Sequence, residues 1–546
     1  MSEHPAPVAR VESLSIEIVG KTDRLAVDEV SFEIYPGETL CVVGESGSGK
    51  SMIAHALIGL LPPHGVRRSG GRVFLGDAEV SALPEASLRR LRGSAVGMIF
   101  QEPMTALNPL MTVGQQIDEV FSAHASLRAS QRHAKTLGLL DDVQMPDPAR
   151  TMSAYPFQLS GGQRQRVMIA MALALEPRLL IADEPTTALD VTTQAQILAL
   201  IRELQQKRGI GMLFITHDFG VVADIADRVL VMQQGRCVES GRVTEVLQSP
   251  SHPYTRKLIA AVPVLQCEQR TVPVVAKPLP LLRVDDLCKR YSGRGGRVTT
   301  ALDRVSLHVD VGETVGVVGE SGSGKSTLGK MVVGLLQPDS GAIAFEGKST
   351  VGVSRRKLGV VRYQIQMVFQ DPYASLNPRH RVGEIIAAGP INMGVDRDVA
   401  RARAEELIRI VGLNPTCMGR FPHQFSGGQR QRLSIARALA MQPRLLVADE
   451  AVSALDVSVQ AQVLALLREI RQELGLSMLF ITHDLRVASG LCDRIVVMRA
   501  GRIVEQGAAA AICGAPVEAY TRQLIAAIPG QATRTTAIRA PSSALT

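Results

Sequence analysis

The chain has 546 residues, 46% of them hydrophobic and 21% charged, which is typical of a folded globular protein and excludes a disordered one. Its net charge of +8 is a small excess over 60 basic and 52 acidic residues, so it does not indicate nucleic-acid binding. A basic soluble surface and attraction to an anionic membrane face both remain open. The absence of a long apolar run and of an apolar leader predicts a cytoplasmic protein.

Cysteine spacing gives no sign of a metal centre. The seven cysteines are scattered and form no CxxC pair, so we expect free thiols and neither a zinc site nor an iron-sulfur cluster. They are Cys41, Cys237, Cys267, Cys288, Cys417, Cys492 and Cys513.

The first chemical motif follows a short apolar strand, TLCVVG, and reads GESGSGKS. In a GxxxxGKS loop the glycines let successive backbone N–H groups surround a phosphate, and the next helix adds positive charge from its N-terminus. Lys50 would reach the outer phosphates, and the Ser51 hydroxyl would bind magnesium. A glycine-rich loop that binds no nucleotide is the alternative. The predicted phosphate-binding residues are Gly44, Glu45, Ser46, Gly47, Ser48, Gly49, Lys50 and Ser51.

An acid pair and a histidine follow later strands of the same half. The strand LLIADE ends in Asp183 and Glu184, and two adjacent carboxylates at a strand end are unfavourable without a cation. Asp183 suits the magnesium shell, and Glu184 suits a base that polarises the attacking water in phosphoryl transfer. His217 closes FITHD, where it either holds the γ-phosphate and the water or caps the strand end.

All these strings occur twice in the same order. GESGSGKS returns 275 residues later, and both SGGQRQR and the acid pair return 266 residues later. A repeat of this length indicates two tandem domains, and apolar runs alternating with helical patterns predict buried parallel strands in each. The recurrence favours a functional role for both histidines. The second set is Gly319, Glu320, Ser321, Gly322, Ser323, Gly324, Lys325, Ser326, Asp449, Glu450 and His483.

Composition then suggests the domain boundaries. We predict a first domain over residues 1–263, a second over 281–530, and a short linker over 264–280 that contains three prolines. Residues 531–546 are polar without apolar periodicity, which predicts a disordered tail.

The strings LSGGQRQR from Leu159 and FSGGQRQR from Phe425 resemble the signature of ATP-binding-cassette (ABC) proteins. TTALD and VSALD are similar to the D-loops of that family. The resemblance implies an α/β fold of two tandem P-loop NTPase cassettes, each with a RecA-like core and a helical signature subdomain. It also implies head-to-tail pairing, in which ATP lies between the phosphate loop of one half and the signature of the other.

The family assigns further nucleotide and magnesium contacts. The signature residues that would contact ATP are Ser160, Gly161, Gly162, Gln163, Ser426, Gly427, Gly428 and Gln429. Gln101 and Gln370 resemble the Q-loop glutamines, which contact nucleotide and magnesium. The magnesium ligands implied in full are Ser51, Gln101, Asp183, Ser326, Gln370 and Asp449.

Four segments resemble oligopeptide and dipeptide importer ATPases more narrowly: QEPMTALNPLMTVGQQI, FQDPYASLNPRHRVGEII, SPSHPYTRKLIAAVP and EAYTRQLIAAIP. The resemblance implies two polytopic membrane subunits whose cytoplasmic helices dock near the Q-loops, an extracytoplasmic solute-binding protein, and a peripheral position on the cytoplasmic face of the cell membrane. It implies no nucleic-acid partner. For the HPYT segments, simple packing of a helix on the core is the alternative.

The chain departs from the family pattern in three features, two substituted positions and one missing segment. Tyr291 supplies the aromatic residue on which adenine stacks, but the aligned residue of the first half is Ile18, which puts adenine binding there in question. Ala451 replaces Pro185 after the acid pair, and we expect the carboxylates to stay in place. The cysteine run that some peptide-importer ATPases carry after the HPYT segment is missing.

The sequence therefore predicts the energy-coupling ATPase of a peptide-type importer with two competent ATP sites. The alternative is a soluble tandem cassette that acts on ribosomes or DNA, but the chain lacks the long charged linker and zinc-binding cysteines of such proteins. Dipeptides, longer peptides, glutathione, opines and metal chelates all remain open as the solute. The direction of transport rests on the resemblance.

Overall fold

The computed structural model describes residues 5–20, 24–187, 189–267, 279–292, 298–353, 359–453 and 455–530. The chain divides into two compact units, the first Met1–Val262 with Ile528–Thr546 and the second Pro263–Ala527. Most of the predicted linker, the predicted tail over 531–546 and one alanine in each D-loop lie outside the described residues.

The two units differ from the predicted domains in two places, at the residues after Val262 and at those after Ala527. The backbone amide of Gln266 donates to Ser489 Oγ over 3.0 Å, so the residues that follow Val262 belong to the second unit. The backbone amide of Gly530 donates to Asp224 Oδ2 over 3.0 Å, so residues 528–530 belong to the first unit. Both hydrogen bonds thus lie within one unit, in agreement with this division.

The first unit contains ten strands and eleven α-helices among its described residues. The strands are β1 (Ala9–Ile18), β2 (Arg24–Ile34), β3 (Thr39–Val43), β4 (Val66–Leu75), β5 (Ala78–Glu79), β6 (Val96–Ile99), β7 (Leu179–Asp183), β8 (Gly211–Thr216), β9 (Arg228–Gln233) and β10 (Arg236–Arg242). The helices are α1 (Lys50–Leu57), α2 (Glu85–Leu91), α3 (Pro103–Ala106), α4 (Val113–His124), α5 (Ala129–Asp142), α6 (Pro148–Met152), α7 (Gly161–Leu173), α8 (Val191–Arg208), α9 (Phe219–Ile225), α10 (Val243–Gln248) and α11 (Pro253–Ala261).

A six-stranded sheet in the order β10-β9-β3-β8-β7-β6 forms the centre of this unit. Strands β6, β7, β8, β3 and β9 pair in parallel, and β10 joins the edge antiparallel to β9. Every residue of β3, β7 and β8 is buried, which explains why these strands read as continuous apolar runs. The prediction of buried parallel strands is confirmed.

A second, antiparallel sheet in the order β2-β1-β4-β5 packs its apolar residues into the same core. Helices α3 to α7 form a separate helical layer, in which α4, α5 and α7 contact one another. Local sequence sets the start of α4, where the Thr112 side chain and Gln115 form a capping box. The signature helix α7 begins in the same way at Ser160.

The second unit repeats this architecture. Its strands are β11 (Leu282–Ser292), β12 (Val298–Val309), β13 (Thr314–Val318), β14 (Ser340–Phe345), β15 (Lys348–Ser349), β16 (Ile365–Val368), β17 (Leu445–Asp449), β18 (Ser477–Thr482), β19 (Arg494–Arg499) and β20 (Arg502–Ala508). Its helices are α12 (Lys325–Val332), α13 (Gly359–Gln364), α14 (Pro372–Ser375), α15 (Val382–Asn392), α16 (Arg397–Ile410), α17 (Gly427–Leu439), α18 (Val457–Leu474), α19 (Leu485–Leu491), α20 (Ala509–Gly514) and α21 (Ala519–Ala526).

The sheets of the second unit have the orders β16-β17-β18-β13-β19-β20 and β12-β11-β14-β15, the same topology as in the first. In each unit the phosphate loop, the acid pair, the glutamine and the histidine follow parallel strands of the six-stranded sheet. Because the carboxyl ends of parallel strands meet at one edge, the fold gathers these residues. Among the described helices, none has the length and hydropathy needed to cross a membrane.

Candidate nucleotide and magnesium sites

The two phosphate loops have a backbone shape that requires glycine. Gly44 and Gly319 have φ near +156° and +155°, and a Cβ atom on either would collide with a backbone carbonyl, that of Met232 or Met498. The glycines that immediately precede α1 and α12 also have positive φ. A side chain at these positions would therefore distort the loop, as expected for a backbone that closes around a phosphate.

The same pattern of lysine contacts in both units places each amine inside its loop. Lys50 Nζ donates to the carbonyl oxygens of Gly44 (2.8 Å) and Glu45 (2.9 Å). Lys325 Nζ makes the same two hydrogen bonds, over 2.8 and 2.7 Å, to Gly319 and Glu320. Both lysines are buried, so the loop encloses a positive charge that suits a phosphate.

The first acid of each pair lies beside the serine of the phosphate loop. Ser51 Oγ donates to Asp183 Oδ1 over 3.1 Å, and Ser326 Oγ donates to Asp449 Oδ1 over 2.9 Å. Burial raises the pKa of both aspartates above the ordinary value, although the serine hydrogen bonds oppose this effect. A bound cation would favour the ionised form of each buried aspartate. Oxygen ligands of this kind, a hydroxyl and a carboxylate, fit magnesium.

The second acid is held by side chains from two other segments and from its own loop. Glu184 Oε2 accepts hydrogen bonds from Gln101 Nε2 (3.2 Å) and Thr187 Oγ1 (2.9 Å), and lies 3.3 Å from His217 Nδ1. Burial alone would raise the pKa of Glu184, but the neighbouring imidazole of His217 and the hydrogen bond from Thr187 outweigh it and bring the pKa to about 2. The carboxylate is therefore ionised throughout the working pH range.

The second unit holds its glutamate in the same way. Gln370 Nε2 donates to Glu450 Oε2 over 2.8 Å, and His483 Nδ1 lies 3.7 Å from the same oxygen. Burial opposes ionisation here too, yet the nearby imidazole of His483 leaves the pKa of Glu450 below its ordinary value. Both carboxylates thus keep their positions although Ala451 replaces Pro185.

Both glutamates also have an unusual backbone. Glu184 has φ of 45° and Glu450 has φ of 47°, in the left-handed region that residues other than glycine seldom adopt. Their backbone amides donate to Ile215 and Ile481, which ties each strained residue to the neighbouring strand. Strain of this kind collects at functional sites, where the surrounding structure fixes a side chain in one direction.

The signature motifs begin helices, as the sequence predicts. Ser160 Oγ accepts from the Gln163 backbone amide over 3.3 Å, and the Gln163 side chain accepts from the Ser160 amide over 2.9 Å. Ser426 and Gln429 form the same capping box at α17. The signature residues thus lie in the helical layer of their own unit, apart from the sheet edge that gathers the other predicted site residues.

Strand register identifies the two adenine positions as equivalent. Ile18 pairs with Arg24 at the end of β1, and Tyr291 pairs with Thr299 at the end of β11, next to the last pair in that hairpin. Ile18 is 38% exposed and Tyr291 is 42% exposed. Each therefore presents a surface that can cover a base, but only the second is aromatic.

Two kinds of residue at these sites were not predicted from sequence. Thr187 of the first D-loop binds the Glu184 carboxylate directly. Tyr254 and Tyr520 accept hydrogen bonds from the backbone amides of Glu45 and Glu320. The repeated YT of the HPYT and EAYT segments was visible in the sequence, but nothing in it indicates contact with a phosphate loop some 200 residues away.

Three features together define a P-loop nucleoside triphosphatase. They are a phosphate loop that encloses a lysine, a serine beside a buried aspartate, and an ionised glutamate held by glutamine and histidine. Two such units stand in one chain. The ABC transporter profile matches residues 27–187 and 302–453, and the profile of the oligopeptide/dipeptide transporter C-terminal region matches residues 238–295. The chain belongs to the ABC transporter family.

Relatives support this assignment over nearly the whole chain. The peptidoglycan transport ATP-binding protein YejF of Agrobacterium fabrum is 46% identical over 95% of this chain and 96% of its own length. The glutathione import ATP-binding protein GsiA of Escherichia coli is 46% identical over 96% of this chain and 89% of its own length. Among solved structures, cbiO1 of Clostridium perfringens, part of the ABC transporter complex cbiONQ, matches 47% of this chain and 98% of its own at 30% identity, with a TM-score of 0.41.

These comparisons confirm the predicted family, the fold class of two ABC cassettes and the assignment as an ATP-binding ABC ATPase. The narrower resemblance to the peptide-type importer ATPases is also confirmed, because the matching C-terminal profile and the importer relatives agree.

Proposed function

We propose that this chain hydrolyses ATP at two sites and couples the hydrolysis to import of short peptides or peptide-containing solutes. The observation that carries the proposal is the shared cluster of each unit, in which Gln101, Glu184 and His217 recur as Gln370, Glu450 and His483 with matching contacts. Because both clusters are complete in the described residues, both sites are proposed to be competent.

Each residue of the cluster has a separate role in the proposed phosphoryl transfer. Lys50 and the loop amides hold the outer phosphates, and Ser51 with Asp183 and Gln101 would hold magnesium, which neutralises charge on the phosphates when bound. Glu184 stays ionised and orients the attacking water, while His217 fixes that carboxylate and contacts the γ-phosphate. Lys325, Ser326, Asp449, Gln370, Glu450 and His483 do the same in the second unit.

We further propose that each signature acts on the nucleotide of the other half, as the family resemblance implies. The N-terminus of α7 offers backbone amides and the Ser160 hydroxyl to a γ-phosphate, and α17 offers Ser426 likewise. Replacing Ser160 with a bulky residue should then impair hydrolysis that depends on Glu450. Impaired hydrolysis at the Glu184 site alone would contradict this pairing.

A cleft beside the second Q-loop supports the proposal of a membrane partner. It has a volume of about 510 Å³, and Leu335, Tyr363, Phe369, Ile385 and Arg437 contribute to its lining. Phe369 immediately precedes Gln370, so a helix seated here would press on the residue that contacts Glu450. We propose that two polytopic membrane subunits bind near the Q-loops, and that the chain lies on the cytoplasmic face of the cell membrane.

The solute class is proposed from the relatives, which are named for import of glutathione and transport of peptidoglycan. In this proposal the chain acts on the solute only through the membrane subunits. An extracytoplasmic solute-binding protein would choose among peptides, glutathione and peptide-bearing cell-wall fragments.

Uptake in whole cells tests the proposal. Cells that lack this chain are complemented with wild type or with the Glu184→Gln, Glu450→Gln double variant, and uptake of a labelled mixture of short peptides and glutathione is measured. Uptake that returns only with wild type supports an ATP-driven importer. Equal uptake in all strains would contradict the proposed solutes.

Cell fractionation separates the importer from the rival class. The importer proposal requires the chain on membranes, bound through its partner subunits. A chain found on ribosomes or DNA, with none on membranes, would favour a soluble tandem cassette and overturn the proposal.

A further inference from the structure

A tyrosine from the C-terminal segment of each unit contacts the phosphate loop. The Glu45 backbone amide donates to the hydroxyl oxygen of Tyr254 over 3.2 Å, and the Glu320 amide donates to the hydroxyl oxygen of Tyr520 over 3.2 Å. Tyr254 is 8% exposed and Tyr520 is 5% exposed. The same contact thus occurs twice, in the first turns of α11 and α21.

The amide that donates to each tyrosine belongs to a peptide group whose carbonyl oxygen accepts a hydrogen bond from the loop lysine. In the peptide bond between Gly44 and Glu45, the carbonyl oxygen accepts from Lys50 Nζ over 2.8 Å and the N–H donates to Tyr254. In the second unit the Gly319–Glu320 peptide lies in the same way between Lys325 and Tyr520. Because a peptide group is planar, fixing both its ends fixes its rotation.

The helix that bears each tyrosine is itself anchored to the sheet. The Glu239 carboxylate on β10 accepts from the backbone amides of Ser251 and His252, and the Glu505 carboxylate on β20 accepts from those of Val517 and Glu518. The two segments differ at these anchored positions but share Tyr and Thr two and three residues after the second of them. The anchoring therefore holds the tyrosines at a fixed distance from the loop.

We propose that Tyr254 and Tyr520 are positioning residues for the phosphate loops: each fixes the peptide plane that orients the loop lysine, and so links the C-terminal segment to nucleotide affinity. The inference rests on the proposed ATP sites and gives the segment a role besides packing. Without the hydroxyl, a partly buried N–H loses its acceptor and the peptide plane is free to rotate. The carbonyl oxygens that hold the amines of Lys50 and Lys325 can then move, so the amines are no longer held in one orientation toward the phosphates.

An arginine lies against the tyrosine ring in the second unit. The guanidinium carbon of Arg499 lies 4.7 Å from the centroid of the Tyr520 ring. Burial raises the pKa of Tyr520 to about 12, so its hydroxyl keeps its proton at working pH. At the position that corresponds to Arg499 the first unit has Gln233.

The test measures equilibrium binding of ATP and ADP to the full chain. Tyr254→Phe, Tyr520→Phe and the double substitution are made in the Glu184→Gln, Glu450→Gln background, where hydrolysis does not disturb binding. Loss of one hydrogen bond that leaves a partly buried donor unsatisfied predicts about tenfold weaker binding of both nucleotides at the altered site. In the hydrolysing chain, KM for ATP should rise more than kcat falls.

Tyr35→Phe is the matched control, because the Tyr35 hydroxyl also hydrogen-bonds within the first unit but to the Glu33 carboxylate, over 2.6 Å. A purely structural role for Tyr254 would lower the melting temperature of the nucleotide-free chain and leave ATP affinity as in Tyr35→Phe. That outcome overturns the inference. A parent chain whose binding of ATP does not depend on Lys50 and Lys325 would instead overturn the proposed ATP sites themselves.

Discussion

Gln101 Nε2 donates to Glu184 Oε2 over 3.2 Å, and in the second unit Gln370 Nε2 donates to Glu450 Oε2 over 2.8 Å. Each glutamine follows the edge strand of its six-stranded sheet, and each glutamate follows the adjacent strand. The hydrogen bond joins the loop that leads into the helical layer to the carboxylate that we propose orients water. A shift of the loop would therefore change the direction of that carboxylate.

Gln101→Ala together with Gln370→Ala removes this connection. We expect kcat for ATP hydrolysis to fall by about tenfold, because each glutamate loses a donor and each magnesium site a ligand. Uptake should fall further than hydrolysis, since the membrane subunits are proposed to bind near the Q-loops. Gln206→Ala, on the exposed face of α8, is the control and should leave both rates unchanged. A double variant with wild-type rates would contradict the connection.

Single substitutions of the glutamates test whether both sites hydrolyse ATP. Glu184→Gln and Glu450→Gln each keep the shape of the side chain but remove the charge that orients water. We expect each to lower steady-state hydrolysis, and the double variant to lower it by about 10² or more while ATP still binds. ATP turnover is measured beside nucleotide retention. If one single variant hydrolyses at the wild-type rate, the corresponding site is not catalytic.

Exchange of the adenine residues tests the difference between the two sites. Ile18→Tyr supplies an aromatic face where register places the counterpart of Tyr291, and we expect tighter ATP binding at the first site by about three- to tenfold. Tyr291→Ile should weaken the second site to a similar degree. Both are measured by equilibrium binding in the non-hydrolysing background. An unchanged affinity in both variants would show that neither position contacts adenine.

The pH dependence of hydrolysis should report the histidine that holds each glutamate. In the wild type the pKa of Glu184 is about 2, so protonation of this carboxylate does not limit the rate near neutral pH. His217→Ala removes the largest influence that lowers the pKa, and burial then raises it. We expect the loss of kcat on the acid side to begin at a higher pH in this variant, and in His483→Ala likewise.

The histidine prediction is read from the shape of the pH profile, because both substitutions also lower the maximal rate. His64→Ala, at an exposed position, is the control and should keep the wild-type profile. A His217→Ala profile that is only scaled down, with no shift along the pH axis, would show that His217 does not govern Glu184.

Neighbouring signature glycines should respond to alanine in opposite directions. A Cβ on Gly428 would collide with the Val459 side chain of α18, whereas a Cβ on Gly427 meets no atom within 4 Å. We expect Gly428→Ala to lower the free energy of unfolding by about 1–3 kcal/mol through overpacking. Gly427→Ala should raise it by up to about 1 kcal/mol, because alanine favours the helix. Thermal unfolding of the two variants checks this, and equal shifts would refute the packing argument.

The sequence by itself determined the double cassette and predicted which residues meet at each proposed site. The two ordered sets of motifs established the repeat, and the apolar runs before Gly44, Asp183 and His217 placed these residues at strand ends. Parallel strands bring such ends to one edge, so their meeting followed from pattern and topology together. The helix start at Ser160 was equally local, since a capping box needs only residues three apart.

Tertiary structure alone decided what joins residues far apart in the chain. The contact of Tyr254 with the Glu45 amide spans 209 residues and depends on how α11 packs against the loop, which no local pattern encodes. The left-handed backbone of Glu184 likewise goes against the preference of glutamate itself. It occurs together with the hydrogen bond from the Glu184 backbone amide to the carbonyl oxygen of Ile215 on the neighbouring strand. Such features arise from packing and long-range hydrogen bonds, whereas motifs record only the residue types that chemistry requires.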